Sequence, residues 1–183
     1  MRILKFGGSS VGSPEALERV IAIIKEKQKE DRLIVVVSAF KGVTNQLFEV
    51  ASLAENFESR YQDILEEIEK RHIDTINQVI PVNSRSDAIT DFKIMLNELE
   101  NVLKGVSLVQ ELSKKTRDFV VGFGERFSAS ILCACLQNRG VDSLYTDTRQ
   151  LIKTDTSFGA AKVITTSTFM NIKEFVKQNS ENV

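Results

Sequence analysis

Tryptophan is absent from this 183-residue chain, and histidine occurs once, at position 72. With only two tyrosines as well, an aromatic platform for stacking nucleic-acid bases is not expected. A formal net charge of −1 and the lack of any Lys/Arg block argue in the same direction, so no nucleic-acid partner is expected. A single histidine disfavours both an imidazole-rich zinc site and a histidine-based catalytic triad. Cysteine is scarce too: Cys133 and Cys135 stand two apart in a stretch that reads as helix. Such positions do not share a helix face, which disfavours a disulfide or a metal pair, and they read as buried small hydrophobes. No uninterrupted apolar run approaches about 18 residues, so no membrane partner is expected. No signal peptide is visible ahead of the first strand. The cysteine usage fits a reducing, cytoplasmic compartment.

What is present is the composition of an ordinary globular protein, 42% hydrophobic and 27% charged, in a length suited to one domain. Residues 2–6 (RILKF) read as a strand, and a glycine turn follows. Ser13-Pro14-Glu15 is a helix start, with a capping hydroxyl, proline in the first turn and an early acid. Leu17, Val20, Ile21 and Ile24 then recur at helical spacing, with Lys25, Lys27 and Lys29 toward the C-terminal end. The apolar run LIVVV at 33–37 reads as a buried parallel strand. This βαβ unit predicts an α/β fold.

Residues 45–115 are glycine-poor and helical in pattern, and are expected to form a helical subdomain with no chemistry of its own. Ile89, Phe92, Leu96, Leu99, Leu103 and Val106 mark a long amphipathic helix after Asp87, which Pro81 separates from the helices before it. Beyond this region a short strand is expected at 118–121, then a helix from Glu125 to Asn138 ending at Gly140. A strand over 141–147 with Asp147 at its end, a last helix over 168–178 and a polar tail complete the expected order.

The glycine turn satisfies neither common nucleotide motif. Gly7 and Gly12 have Walker spacing, but Ser13 stands where the lysine belongs, and adjacent Gly7 and Gly8 break the dinucleotide fingerprint. What remains is an anion nest: small residues that admit phosphate to backbone N–H groups, hydroxyls at Ser9 and Ser10, and a helix start nearby. Lys5 shares the face of Ile3, opposite Leu4 and Phe6, and burying it without an anion would be costly. A snorkelling edge lysine is the plainer reading of that residue alone. The second strand ends at Ser38, followed by Lys41, Gly42 and Thr44, and the third expected strand end carries Gly122, Gly124 and Glu125. Ligands of α/β proteins bind at the C-terminal rim of the sheet. Thr44 as a helix cap and Glu125 as a first-turn acid are the bland alternatives. Together on one rim, a lysine, hydroxyls and a lone acid match a small zwitterionic substrate beside a phosphate.

The ordered segments KFGGSSVG, VVVSAFKGVTNQL, GFGERFSASIL and SLYTDTRQLIKTD resemble the N-terminal part of the aspartokinases, within the amino-acid kinase family. The likeness spans essentially residues 1–183, with the helical middle corresponding to the family's divergent region. It implies a three-layer αβα sandwich with a mainly parallel sheet, here incomplete. It also implies transfer of the ATP γ-phosphoryl group to the β-carboxylate of L-aspartate. Lys5 would then be the catalytic lysine, Gly7, Gly8 and Ser9 the phosphate-proximal loop, Ser38 and Thr44 the aspartate-facing groups, and Glu125 the partner of its ammonium. Mg²⁺ would arrive with ATP, with no dedicated protein metal site, and the full-length protein would be a homodimer.

Two departures qualify the likeness. Ser9 stands where the family usually has threonine, which preserves the hydroxyl. The family's later GGSD-like motif and nucleotide-binding half do not occur within these residues, so this chain alone is expected to bind nucleotide poorly and catalyse little. Other amino-acid kinases, acting on glutamate, acetylglutamate, carbamate or a nucleoside monophosphate, are the enzymatic alternative. The SAFKGVTNQL and GFGERFSA segments favour aspartokinase over them. A regulatory or assembly module that kept the fold is the non-enzymatic alternative. GERFSA and the long helix hint at the bifunctional type fused to a homoserine dehydrogenase.

Overall fold

The computed structural model describes residues 1–179; the polar tail expected at the C-terminus lies, in residues 180–183, outside the described residues. Strand β1 (Arg2–Phe6) leads through a four-residue helix α1 (Gly8–Val11) into α2 (Pro14–Lys27) and strand β2 (Leu33–Val37). Helix α2 forms as its sequence dictates: the Ser13 hydroxyl accepts from the Ala16 N–H at 3.2 Å, and Leu17, Val20, Ile21 and Ile24 are all buried. β1 and β2 pair in parallel, Arg2 opposite Leu33 through Phe6 opposite Val37. Leu4, Phe6, Leu33, Val35 and Val37 turn to the core, while Ile3 and Val36 are 65% and 44% exposed on the opposite face.

Helices α3 (Val43–Glu55), α4 (Tyr61–Val79) and α5 (Arg85–Val109) follow, and α6 (Lys114–Val121) and α7 (Phe123–Gln137) close the core. In α5 the buried stripe runs through Ala88, Phe92, Met95, Leu96, Leu99, Leu103 and Val106. One contiguous core extends from Val11 to Val141, with Phe40, Phe92, Phe123 and Phe127 among its largest fully buried side chains. Helix α8 (Thr165–Gln178) has Thr168 as its one buried residue. Arg32 donates to the carbonyls of Val176 and Asn179 at the C-terminal end of α8. The resulting architecture is a small parallel sheet with helices, a partial α/β domain.

Three sequence expectations are corrected. Residues 118–121 are helix, the end of α6, because the Ser113 hydroxyl accepts from the Thr116 N–H at 3.1 Å and starts a helix there. Val120, Phe123 and Phe127 then fall at spacings of three and four and are fully buried, so the short apolar run follows the helical period. Residues 141–147 form no strand and pair with none among the described residues; the Ser143 carbonyl instead accepts from Gln137 Nε2 at 2.9 Å. The last helix begins at Thr165, three residues earlier than expected, after an isolated antiparallel bridge between Thr154 and Val163.

Among the described residues, Lys114–Gln137 is long and apolar enough to cross a membrane by length and composition. More than half of its apolar window is buried inside the molecule, and it comprises two helices meeting at Gly122. Cys133 and Cys135 are both free thiols, half-buried and buried. Burial pushes the Cys135 thiol up to about 12 and raises that of Cys133.

Candidate active site

Because β1 and β2 are parallel, their C-terminal ends share one edge, and the Ser38 N–H donates to the Phe6 carbonyl at 3.1 Å. Lys5 lies one residue back on β1, exposed on the Ile3 face as the alternation predicts. Gly7 caps α1 with extended backbone, and Gly8 and Ser9 form its first turn. A Cβ on Gly8 would stand 2.7 Å from the Ala39 carbonyl oxygen, a clash with backbone, so only glycine allows this turn to press on the β2–α3 loop. The Gly8 carbonyl in turn accepts from the Lys41 N–H at 3.2 Å.

Thr44 is the second residue of α3, half-buried, and the helix is capped instead by Gly42 at φ 90° with no side-chain cap bond. The capping role open to Thr44 from sequence alone is therefore not the one it has. Glu125 lies half-buried in the first turn of α7 rather than at a strand end, since Gly122 closes α6. Its main chain nevertheless reaches the same neighbourhood through Ser128. The buried Ser128 hydroxyl donates to the Ser38 carbonyl at 2.7 Å and shares that proton with the Glu125 carbonyl at 3.1 Å. Gly124 makes this approach feasible, because a Cβ there would lie 2.7 Å from Ala39 Cβ and 3.2 Å from Leu47 Cδ1.

Two connecting residues escaped the sequence reading. Ser128 sits inside the GERFSAS segment, yet a serine on a helix face gives no signal of its reach to a distant carbonyl. Arg71, on α4, donates to the Lys41 carbonyl at 2.7 Å and to the Gly12 carbonyl at 3.0 Å. Beside it, His72 is fully buried, stacked at 4.6 Å on Phe40 and at 5.2 Å on Phe92. Its Nδ1 is 2.6 Å from the Ile68 carbonyl, and its Nε2 has no partner. Burial holds its pKa down at about 4, so the imidazole is neutral.

Next to Glu125, Arg126 is mostly buried, 2.7 Å from Glu98, 3.4 Å from Asp147 and with its guanidinium 4.3 Å from the centre of the Phe123 ring. Burial alone would raise the Asp147 carboxyl, but hydrogen bonds from Arg149 and its backbone outweigh this and hold it low. Two cavities of about 320 and 360 Å³ lie elsewhere, and neither is lined by Lys5, Ser38, Thr44 or Glu125. Among the described residues no cluster of three or more His, Cys, Asp or Glu side chains is placed to hold a metal ion.

The family model for the amino acid kinase family matches residues 1–183. This chain belongs to the amino acid kinase family. Its relatives within the amino acid kinases include bifunctional aspartokinase/homoserine dehydrogenase 1, chloroplastic, of Arabidopsis thaliana, 29% identical over 81% of this chain and 16% of that protein. Another is aspartokinase 1, chloroplastic, of the same plant, 35% identical over 76% of this chain and 24% of that one. Among solved structures, E. coli aspartokinase III in complex with aspartate and ADP superposes with a TM-score of 0.84 at 23% identity. That match covers 99% of this chain and 39% of the other, and it establishes the amino acid kinase fold, as a partial domain. The chain thus spans well under half the length of these relatives.

Proposed function

We propose that this chain is the substrate-binding part of an aspartate kinase, which transfers the γ-phosphoryl group of ATP to the β-carboxylate of L-aspartate. The observation that supports it most is the meeting, at one edge, of the glycine turn after Lys5, Ser38 at the end of β2, and the first turn of α7 with Glu125. On this reading residues 45–115 form a helical subdomain that braces the site from behind.

Phosphate and aspartate make different demands, and the residues fit both. A Cβ at Gly7 would meet nothing within 4 Å, so the space over this turn is open to a phosphate oxygen. Lys5 supplies the positive charge beside it, with the Gly8 and Ser9 backbone and the Ser9 hydroxyl as donors. Ser38 and Thr44 orient the aspartate, and the Glu125 carboxylate pairs with its ammonium. In the transfer, a β-carboxylate oxygen bonds to the γ-phosphorus as the bond to the β–γ bridging oxygen breaks, leaving ADP and an acyl phosphate. The attacking carboxylate is already ionised at neutral pH, so no general base is needed, consistent with the site's lack of histidine. Mg²⁺, carried in on ATP, would neutralise charge on the phosphates.

The partners are therefore L-aspartate and ATP, in a homodimeric full-length protein of the reducing cytoplasm, a compartment that two free thiols suit. Calorimetric titration of this chain with L-aspartate tests the reading. Saturable binding is expected, abolished by Glu125→Gln and retained with Lys5→Met; equal affinity for L-glutamate would overturn the substrate assignment. In a coupled ADP-release assay this chain alone is expected to turn over little, and turnover like that of an intact kinase would contradict its role as the substrate-binding part.

A further inference from the structure

The segments that carry the candidate site are three, and each is short. The glycine turn and the β2–α3 loop are joined by the bond from the Lys41 N–H to the Gly8 carbonyl, at 3.2 Å, and pack closely, Gly8 on the Ala39 carbonyl and Gly12 on Lys41. That bond joins the start of the glycine turn to the middle of the loop. Packing of Gly12 against Lys41 does not by itself fix the separation of the Gly12 and Lys41 carbonyls.

Arg71 fixes it. One guanidinium nitrogen donates to the Lys41 carbonyl at 2.7 Å and the other to the Gly12 carbonyl at 3.0 Å. Neither bond goes to a carboxylate. Arginine suits this use because its fork is planar and rigid, so two acceptors held by one guanidinium are held at a set distance from each other. The fork also lies 5.8 Å from the centre of the Phe40 ring, and Phe40 is itself stacked on His72, the next residue of α4. Helix α4 thus grips the β2–α3 loop twice, by its backbone at Lys41 and by its side chain at Phe40. The Thr75 hydroxyl donates to the Arg71 carbonyl at 2.9 Å, one turn further along the helix.

We propose that Arg71 is a positioning residue, whose guanidinium clamps the glycine-rich turn to the β2–α3 loop and sets the gap between the phosphate-facing and aspartate-facing groups. The proposal rests on the reading of those groups given above. Arg71 touches neither substrate; it acts through Gly12 and Lys41. A lysine at this position has one ammonium on a flexible stem and cannot fix two carbonyls at a set separation.

Hydrogen exchange of this 183-residue chain, read by mass spectrometry, tests the clamp without requiring activity. Arg71→Ala is expected to speed exchange in residues 7–12 and 38–44 together by about tenfold or more, with α5 unchanged. Arg71→Lys should restore one of the two segments at most, and free guanidinium ion at low concentration should restore both in Arg71→Ala. Unchanged exchange in either segment of Arg71→Ala, or a rise spread evenly over α4 and α5, overturns the clamp. If Arg71→Ala does not fold, Arg71→Lys carries the same comparison: both segments as protected as in wild type would overturn it. L-Aspartate affinity should fall by about tenfold or more in Arg71→Ala, since a small misplacement of binding groups is costly. Faster exchange with unaltered aspartate affinity overturns the positioning role. A wild-type chain that binds no aspartate overturns the substrate assignment instead, while the exchange data still judge the clamp.

Discussion

Gly124 shows how closely the site's supports are fitted. Its missing side chain is what lets α7 reach the β2–α3 loop, and the atom in the way of a Cβ is the Ala39 Cβ, which has no rotamer to escape into. Gly124→Ala is therefore expected to destabilise the chain by roughly 1–3 kcal/mol, as overpacking does, and thermal unfolding would show it. His72 makes a different prediction. Its pKa is lowered from 6.5 to about 4 in the folded chain, so the unfolded chain binds a proton more readily. The stability tied to its neutral form is complete above about pH 6.5 and is lost as pH falls toward 4, a loss of roughly 3 kcal/mol. His72→Phe keeps a flat ring between Phe40 and Phe92 and removes the titration. Denaturant unfolding from pH 7 to 4 should show a flatter profile for that variant; an unchanged profile would assign the acid sensitivity to other groups.

At the scale of elements, the parts legible in the sequence were those in which local signals agreed. Ser13-Pro14 and the Leu17–Ile24 stripe announce α2, LIVVV announces β2, and the long apolar stripe announces α5. The misreadings have separate causes. DFVV is too short for period to separate strand from helix, and the Ser113 cap that decides the matter lies upstream of it. VDSLYTD has a strand's composition but finds no strand to pair with among the described residues, which only tertiary structure reveals. Three motifs on one rim singled out Lys5, Ser38 and Glu125 as candidates; the braces gave no such signal, since Arg71 and Ser128 act on carbonyls 59 and 90 residues away. Ser128→Ala tests the α7 brace. It removes the donor to a part-buried Ser38 carbonyl, and a cost of roughly 1–3 kcal/mol is expected in chemical denaturation. Aspartate affinity should fall with it, because Glu125 and Ser38 lose their common tie.

For the molecule as a whole, the uneven covering of the sheet has consequences. Ile3 and Val36 lie exposed on one face, and neither outer edge of the two-stranded sheet is paired among the described residues. Open edges beside apolar side chains promote association between chains. Sedimentation of this chain over a range of concentrations should reveal self-association. The double substitution Ile3→Thr and Val36→Thr should reduce it with little change in melting temperature, as neither side chain belongs to the core. A chain that stays monomeric throughout would show that the face is harmless as it stands.

The bonds from Arg71 to Gly12 and from Ser128 to Ser38 also set an order of assembly. Helices α4 and α5 can form from neighbouring residues, whereas the strand edge needs contacts across 59 and 90 positions of chain, each carrying a loop-closure penalty. The edge that holds Lys5, Ser38 and Glu125 is therefore expected to assemble after these helices, and faster native-state hydrogen exchange in residues 7–12 and 38–44 than in α5 would bear this out. On that expectation, helical signal and the integrity of the proposed site are separate readouts, and loss of the second would precede loss of the first as denaturant rises.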